Sequence, residues 1–72
     1  MFEQVKKILL DYTNATEITE NSILEADLGL SSFDVVSIVT DFEDMFQIEI
    51  PDRDISRFLS VKDILDYLET HI

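Results

Sequence analysis

The chain has 72 residues, 46% of them hydrophobic, with no cysteine, and its 16 acidic and 5 basic side chains give a net charge of −11. This length and composition predict one small ordered domain over residues 1–72, exclude disulfides and thiol chemistry, and argue against nucleic acid as a partner. Because no stretch is apolar enough to span a membrane and the N-terminal segment is too polar for a signal peptide, we expect a soluble cytoplasmic monomer.

The first predicted helix covers residues 2–12, where apolar side chains recur at helical spacing. A long connection, residues 13–30, follows it. Such loops are uncommon in compact domains unless they are functional or packed by their own side chains. Apolar residues should anchor this loop over the helices: Ile18, Ile23, Leu24, Leu28 and Leu30. Ser22 and Glu25 have the spacing to cap a single helical turn within it.

The second predicted helix runs from Ser32 to Phe46. Steps of 100° per residue give it one apolar stripe that should face the core. The stripe contains Val35, Ile38, Val39, Phe42, Met45 and Phe46. Phe33 lies on the opposite face, which should see water, and we interpret it as an exposed contact for a partner.

After this helix, residues 47–50 predict an extended link with Ile48 and Ile50 buried, and Pro51 prevents any helix from continuing. A short third helix over about 52–58 should follow, with Asp52 as its N-cap. The fourth helix should start after Ser60, with Asp63 completing a capping box. Its core stripe is Val61, Ile64, Leu65 and Leu68, extended by Ile72. The sequence therefore predicts an all-α four-helix bundle with a short third helix and a long loop between helices 1 and 2.

Acidic residues are spread over the middle of the chain, where no Lys or Arg occurs between Lys7 and Arg53. Such a surface either keeps a small protein solvated and monomeric or steers a basic partner toward it. The uneven distribution of charge favours the second interpretation.

Enzymatic and metal-binding motifs are incomplete in this chain. The segment Gly29–Phe33 resembles half of a G-x-S-x-G nucleophile elbow, but it lacks the second glycine, a preceding strand and a partner histidine. The single histidine, His71, is the penultimate residue and is expected in a frayed tail. The acidic residues 41–44 do not have the spacing of a calcium-binding loop. We therefore expect no catalytic residues and no metal site.

Two adjacent serines at the start of the second helix have different expected roles. Ser31 is placed to be the N-cap, with Asp34 at the third helical position as its reciprocal partner. Ser32 falls in the first turn with its hydroxyl directed outward. A phosphate esterified there would lie beside free backbone N–H groups and the positive end of the helix dipole. The position therefore suits a serine that carries a phosphate-linked group.

Several segments together resemble the acyl carrier protein family, and the resemblance covers nearly the whole chain. The matching residues are Asp27-Leu28-Gly29, Ser31-Ser32-Phe33-Asp34, Phe42-Glu43-Asp44-Met45-Phe46, Ile48-Glu49-Ile50-Pro51-Asp52 and Ser60-Val61-Lys62-Asp63. Their order and spacing agree with the helix plan above. The residue before the modified serine is usually Asp in that family, and here it is Ser31.

The resemblance implies a carrier that is not itself an enzyme. It implies that Ser32 is esterified by 4′-phosphopantetheine, transferred from coenzyme A by a separate phosphopantetheinyl transferase, and that the arm carries acyl groups as thioesters. It also implies a face that binds acyl-transferring or condensing enzymes through their basic patches. By position that partner-binding face consists of Phe33, Asp34, Val36, Glu43 and Asp44.

Fatty acid biosynthesis is the simplest pathway for such a carrier, and the acyl chain should fold into the apolar interior between visits to enzymes. Candidate residues for that pocket are Phe42, Ile50, Ile55 and Phe58. Carriers of polyketide, nonribosomal peptide and D-alanyl systems share the same plan and remain open. A different alternative is an unmodified acidic adaptor that uses the same face to bind a basic protein.

Overall fold

The computed structural model describes residues 1–72 and contains helices but no strand beyond one isolated bridge, Ile23 with Ser60. The four helices are α1 (Phe2–Leu10), α2 (Ser32–Phe46), α3 (Asp52–Ile55) and α4 (Val61–His71). The predicted all-α architecture with a short third helix is confirmed. None of the helices is long and apolar enough to cross a membrane.

The helix bounds follow local capping signals. Helix α2 has the predicted bounds, and α1 ends at Leu10, two residues earlier than predicted. Helix α3 is shorter than predicted because the backbone hydrogen bonds after Ile55 join residues three apart, not four apart as in an α-helix. They run from the Arg57 N–H to the Asp54 carbonyl and from the Phe58 N–H to the Ile55 carbonyl. The prediction that Asp52 is its N-cap is wrong. Pro51 holds the extended backbone of that position, and Asp52 starts the helix.

A single cluster of 16 buried apolar residues forms the core. The predicted stripe of α4 is buried through Leu68, but Ile72 is 63% exposed because it lies beyond the last helical residue. In α2, Met45 is 44% exposed, so its assignment to the core is also wrong. The last turn of α2 instead packs inward through Phe46, whose ring lies 6.4 Å from that of Phe42.

The loop between α1 and α2 is tied to the start of α4 by backbone hydrogen bonds. The N–H groups of Val61 and Lys62 donate to the carbonyls of Ser22 and Glu20 at 3.0 and 2.9 Å. These two donors have no acceptor within α4, since the first N–H groups of a helix never do. The loop therefore completes the cap that Ser60 begins.

The same loop is packed by its own apolar residues, as predicted, except for Ile23. Four of the five expected anchors are buried, whereas Ile23 is exposed. The Asp27 carboxylate accepts a hydrogen bond from the Ile23 N–H at 2.7 Å. The predicted cap by Ser22 and Glu25 is wrong, because the Ser22 hydroxyl accepts from the Thr19 N–H instead.

Two tyrosine–aspartate hydrogen bonds connect helical segments that are distant in the chain. The Tyr12 hydroxyl, just after α1, donates to Asp41 Oδ2 of α2 at 2.6 Å. The Tyr67 hydroxyl of α4 donates to Asp54 Oδ2 of α3 at 2.9 Å. The hydrogen bond to Asp41, followed by burial, raises the pKa of Tyr12 above its usual 10.0. Burial, followed by the hydrogen bond to Asp54, likewise raises the pKa of Tyr67.

These shifts predict a loss of stability at alkaline pH. A raised pKa means that the folded state holds the phenolic proton more tightly than the unfolded chain, so the stabilisation is complete below about pH 10 and disappears as the pH rises through the folded-state pKa. We therefore expect Tyr12→Phe to lose less of its free energy of unfolding than the wild type as the pH rises above about 10. Urea unfolding followed by circular dichroism measures this. Parallel pH curves for the two proteins would contradict it.

Candidate functional site

The start of α2 is fixed by a reciprocal pair of hydrogen bonds. The Ser31 hydroxyl accepts from the Asp34 N–H at 3.1 Å, and Asp34 Oδ2 accepts from the Ser31 N–H at 3.0 Å. The predicted capping box is confirmed. Just before it, Gly29 has a φ of +67°, a left-handed conformation that residues with a Cβ rarely adopt. This glycine turns the chain out of the loop and into the helix.

The next residue, Ser32, is exposed, and its hydroxyl makes none of the hydrogen bonds within the chain. The backbone N–H groups of Ser32 and Phe33 also have no acceptor in the chain, because Ser31 supplies the acceptors for the next two, at Asp34 and Val35. A helix N-terminus with free N–H groups favours a phosphate, both by hydrogen bonding and through the helix dipole. This arrangement fits a phosphodiester on the Ser32 oxygen.

Beside Ser32 lies a groove of about 610 Å³ between α2, α3 and the loop. Its apolar lining consists of Ile23, Leu24, Val35, Val36, Ile55, Phe58 and Leu59. The chain thus places an exposed hydroxyl at the mouth of an apolar cavity, which suits a tethered group with an apolar end.

The groove differs in part from the predicted pocket. Ile55 and Phe58 line it, as expected, but Phe42 and Ile50 do not, since both are buried in the core. The contributions of Ile23, Leu24 and Leu59 to the groove were not predicted. Apolar residues outside the predicted helices were the only sequence signal for them.

The residues predicted for the partner-binding face fall into two groups along α2. Phe33 is 80% exposed and Val36 is 52% exposed, both close to Ser32. Glu43 and Asp44 lie near the other end of the helix, about 18 Å away at 1.5 Å per residue. The structure therefore places the apolar side chains and the Asp34 carboxylate beside the serine, and the carboxylates of Glu43 and Asp44 at a distance from it.

The carboxylates of α2 differ in how they are used within the chain. Three of them accept hydrogen bonds: Asp34 from the Ser31 N–H, Asp41 from Tyr12, and Glu43 from the Ile50 N–H at 2.8 Å. The Asp44 carboxylate accepts none. No basic residue lies on α2, so its exposed side has a negative field.

Comparison with known proteins identifies the family. The family model described as "Phosphopantetheine attachment site" matches residues 3–68. This chain belongs to the acyl carrier protein family. Curated acyl carrier proteins from Wolinella succinogenes, Clostridium acetobutylicum and Clostridium perfringens are 36%, 38% and 37% identical to it. The matches cover 99% of this chain and 95–96% of each relative.

The chain is therefore an acyl carrier and not an enzyme, and its cofactor is phosphopantetheine. Members of the family are served by separate proteins, a phosphopantetheinyl transferase and acyl-transferring enzymes. The predicted family, cofactor and non-catalytic role are confirmed.

Replacement of Ser31 and of Ser32 by alanine should have different effects on the stability of the protein. We expect Ser31→Ala to lower the free energy of unfolding by about 1 kcal/mol, because it removes the N-cap acceptor. Ser32→Ala, which breaks no hydrogen bond within the chain, should change it by less than about 0.5 kcal/mol. Ser60→Ala, at the equivalent cap of α4, is the positive control. Chemical denaturation of the three variants measures this, and an equal loss for both helix-α2 variants would contradict the assignment of roles.

Proposed function

We propose that Ser32 carries the 4′-phosphopantetheine arm and that the chain presents acyl groups to the enzymes of fatty acid biosynthesis. One observation supports this assignment above the others: of the two serines at the start of α2, Ser31 has its hydroxyl engaged in the cap, while Ser32 is exposed and without a partner. Residues 1–72 would act as one carrier domain, supported by their single apolar core.

When bound, the arm supplies a thiol that holds an acyl group as a thioester, a chemistry that the cysteine-free chain lacks. The residues of the chain have simpler tasks. Ser32 would provide the ester oxygen, and the N–H groups of Ser32 and Phe33, which have no acceptor in the chain, would be available to the negatively charged phosphodiester. The cap formed by Ser31 and Asp34 holds this helix start in place.

The groove beside Ser32 bears on the choice of pathway. Its lining is mostly apolar, and its only charged members are Glu25 and Asp52, both acidic. Each buried methylene of a cargo contributes about 0.8 kcal/mol, so an alkyl chain gains most from such a lining. This favours fatty acyl cargo over the amino acids carried in D-alanyl and nonribosomal peptide systems. An apolar polyketide remains the nearest alternative cargo.

Intact mass spectrometry after incubation with coenzyme A and a phosphopantetheinyl transferase tests the attachment site. We expect the wild type to gain the mass of one arm and Ser32→Ala to gain none. Ser31→Ala is the matched control, because it removes a neighbouring hydroxyl and should still be modified. Modification of Ser32→Ala, or an unchanged wild-type mass with several transferases, would contradict the proposal. The modified wild type should then accept fatty acyl groups from an acyl-transferring enzyme and pass them to a condensing enzyme.

The proposal includes a basic partner surface that meets α2. Phe33 and Val36 would supply the apolar contact beside the arm, and Asp34, Glu43 and Asp44 the negative charge. Among these carboxylates Asp44 is the one that accepts no hydrogen bond from the chain, so it can be changed without breaking an internal contact.

We place this function in the cytoplasm, since a chain without cysteine suits a reducing compartment.

Charge reversal separates partner recognition from folding. We expect Asp44→Lys to slow modification by the transferase severalfold, chiefly through slower association, and to leave the free energy of unfolding nearly unchanged. Glu69→Lys, an equal change of charge at an exposed position of α4, is the control. Initial rates at low and moderate salt measure the effect, and equal rates for the two variants would contradict it. If Ser32→Ala binds a basic partner protein as well as the wild type but is never modified, the adaptor alternative is favoured.

A further inference from the structure

Residues 51–58, here called the α3 segment, form one wall of the groove. Phe58 is buried in the core, and the backbone hydrogen bonds that connect the segment to the rest of the chain lie just beyond its two ends. Just before the segment, the Ile50 N–H donates to Glu43 Oε2 at 2.8 Å. Just after it, the Leu59 carbonyl accepts from the Leu24 N–H at 3.0 Å. Between these points the backbone hydrogen bonds of the segment stay within it.

Helix α3 has little stability of its own. It is four residues long, has no side-chain cap and contains no fully buried residue. A single helical turn is unstable in isolation, so its position depends on contacts with other elements. Ile55 supplies one such contact, since it is half-buried against the core.

One side-chain hydrogen bond connects the middle of the α3 segment to the rest of the chain, and it comes from Tyr67 of α4. The Tyr67 hydroxyl donates to Asp54 Oδ2 at 2.9 Å. The Tyr67 ring also packs edge-on against Phe58, with ring centroids 5.3 Å apart and an interplanar angle of 78°. Phe58 lines the groove, whereas Tyr67 does not. Tyr67 therefore contacts the α3 segment without itself lining the groove.

We propose that Tyr67, through its hydrogen bond to Asp54, holds the α3 segment against α4 and so determines how long an acyl chain the groove accepts. The opposite wall is fixed, because the loop is tied to Leu59 and α4 by backbone hydrogen bonds and α2 is held by its cap. A longer chain gains space where the wall is least attached, which is helix α3, since the end of the segment is held by the buried Phe58. Tyr67 is a positioning residue, since it acts on the cargo through Asp54 and Phe58.

This inference rests on the proposed acyl groove, but its first test needs neither arm nor cargo. In the unmodified Tyr67→Phe protein, we expect the amides of Ile55, Arg57 and Phe58 to exchange with deuterium roughly ten- to a hundredfold faster, the change that loss of one hydrogen bond to a carboxylate produces in a local opening equilibrium. Amides of α1, α2 and α4 should keep their wild-type rates. Nuclear magnetic resonance resolves these residues individually.

The matched control is Tyr12→Phe, which removes the other tyrosine–aspartate hydrogen bond, between the end of α1 and α2. It should leave exchange in the α3 segment unchanged. Asp54→Ala is the second variant, because it removes the same hydrogen bond from the other partner. The double variant with Tyr67→Phe should exchange no faster than Asp54→Ala alone, since the two changes remove one interaction.

Cargo length provides the second readout, which a purely structural role would not alter. Each methylene that enters the groove favours the folded protein by about fourfold, so the unfolding midpoint should rise with acyl length until the groove is full. We expect Tyr67→Phe to reach this plateau at a longer acyl chain than the wild type and Tyr12→Phe to reach it at the wild-type length.

Three results would overturn the inference: unchanged exchange in the α3 segment, equally faster exchange in every helix, or the same plateau length in Tyr67→Phe and wild type. A failure of the arm to attach at Ser32 would instead overturn the proposed function, and the exchange measurement on unmodified protein would still decide whether Tyr67 holds the segment.

Discussion

The reciprocal hydrogen bonds between Ser31 and Asp34 are the constraint on which the site depends. Each residue accepts a bond from the backbone of the other, so α2 cannot begin one residue earlier or later without losing both. Successive residues of a helix are turned by about 100°, so such a shift would move Ser32 away from the mouth of the groove. The cap thus fixes the position of Ser32, the proposed attachment site, while Ser32 makes no side-chain hydrogen bond within the fold.

The groove has one rigid and one weakly held wall. The loop between α1 and α2 is joined to α4 by backbone hydrogen bonds and packed by buried leucines, so it behaves as part of the bundle. Helix α3 has no fully buried residue, and its contacts with the rest of the chain are the packing of Ile55 against the core and the hydrogen bond from Tyr67 to Asp54. If the groove holds the acyl chain as proposed, a wall with so few contacts would allow the cargo to be both protected and released.

Features controlled by neighbouring residues could be predicted from the sequence, and features controlled by distant ones could not. The capping boxes of α2 and α4 follow from residues three positions apart. The limits of the core do not: Met45 fits the apolar period of α2 but faces solvent because Phe46 packs inward. The groove was only half predicted, since Ile55 and Phe58 share one segment whereas its other wall comes from a loop without periodicity.

The backbone hydrogen bonds that the Glu20 and Ser22 carbonyls accept from the start of α4 also bear on the order of folding. They join segments far apart in a chain whose other contacts are mostly within or between adjacent helices. Closing a loop of that length costs about 3 kcal/mol of chain entropy, so we expect this pairing to form late, once both segments are already near each other. We therefore expect the loop and the last helix to unfold together, so that a change that destabilises the loop also destabilises α4.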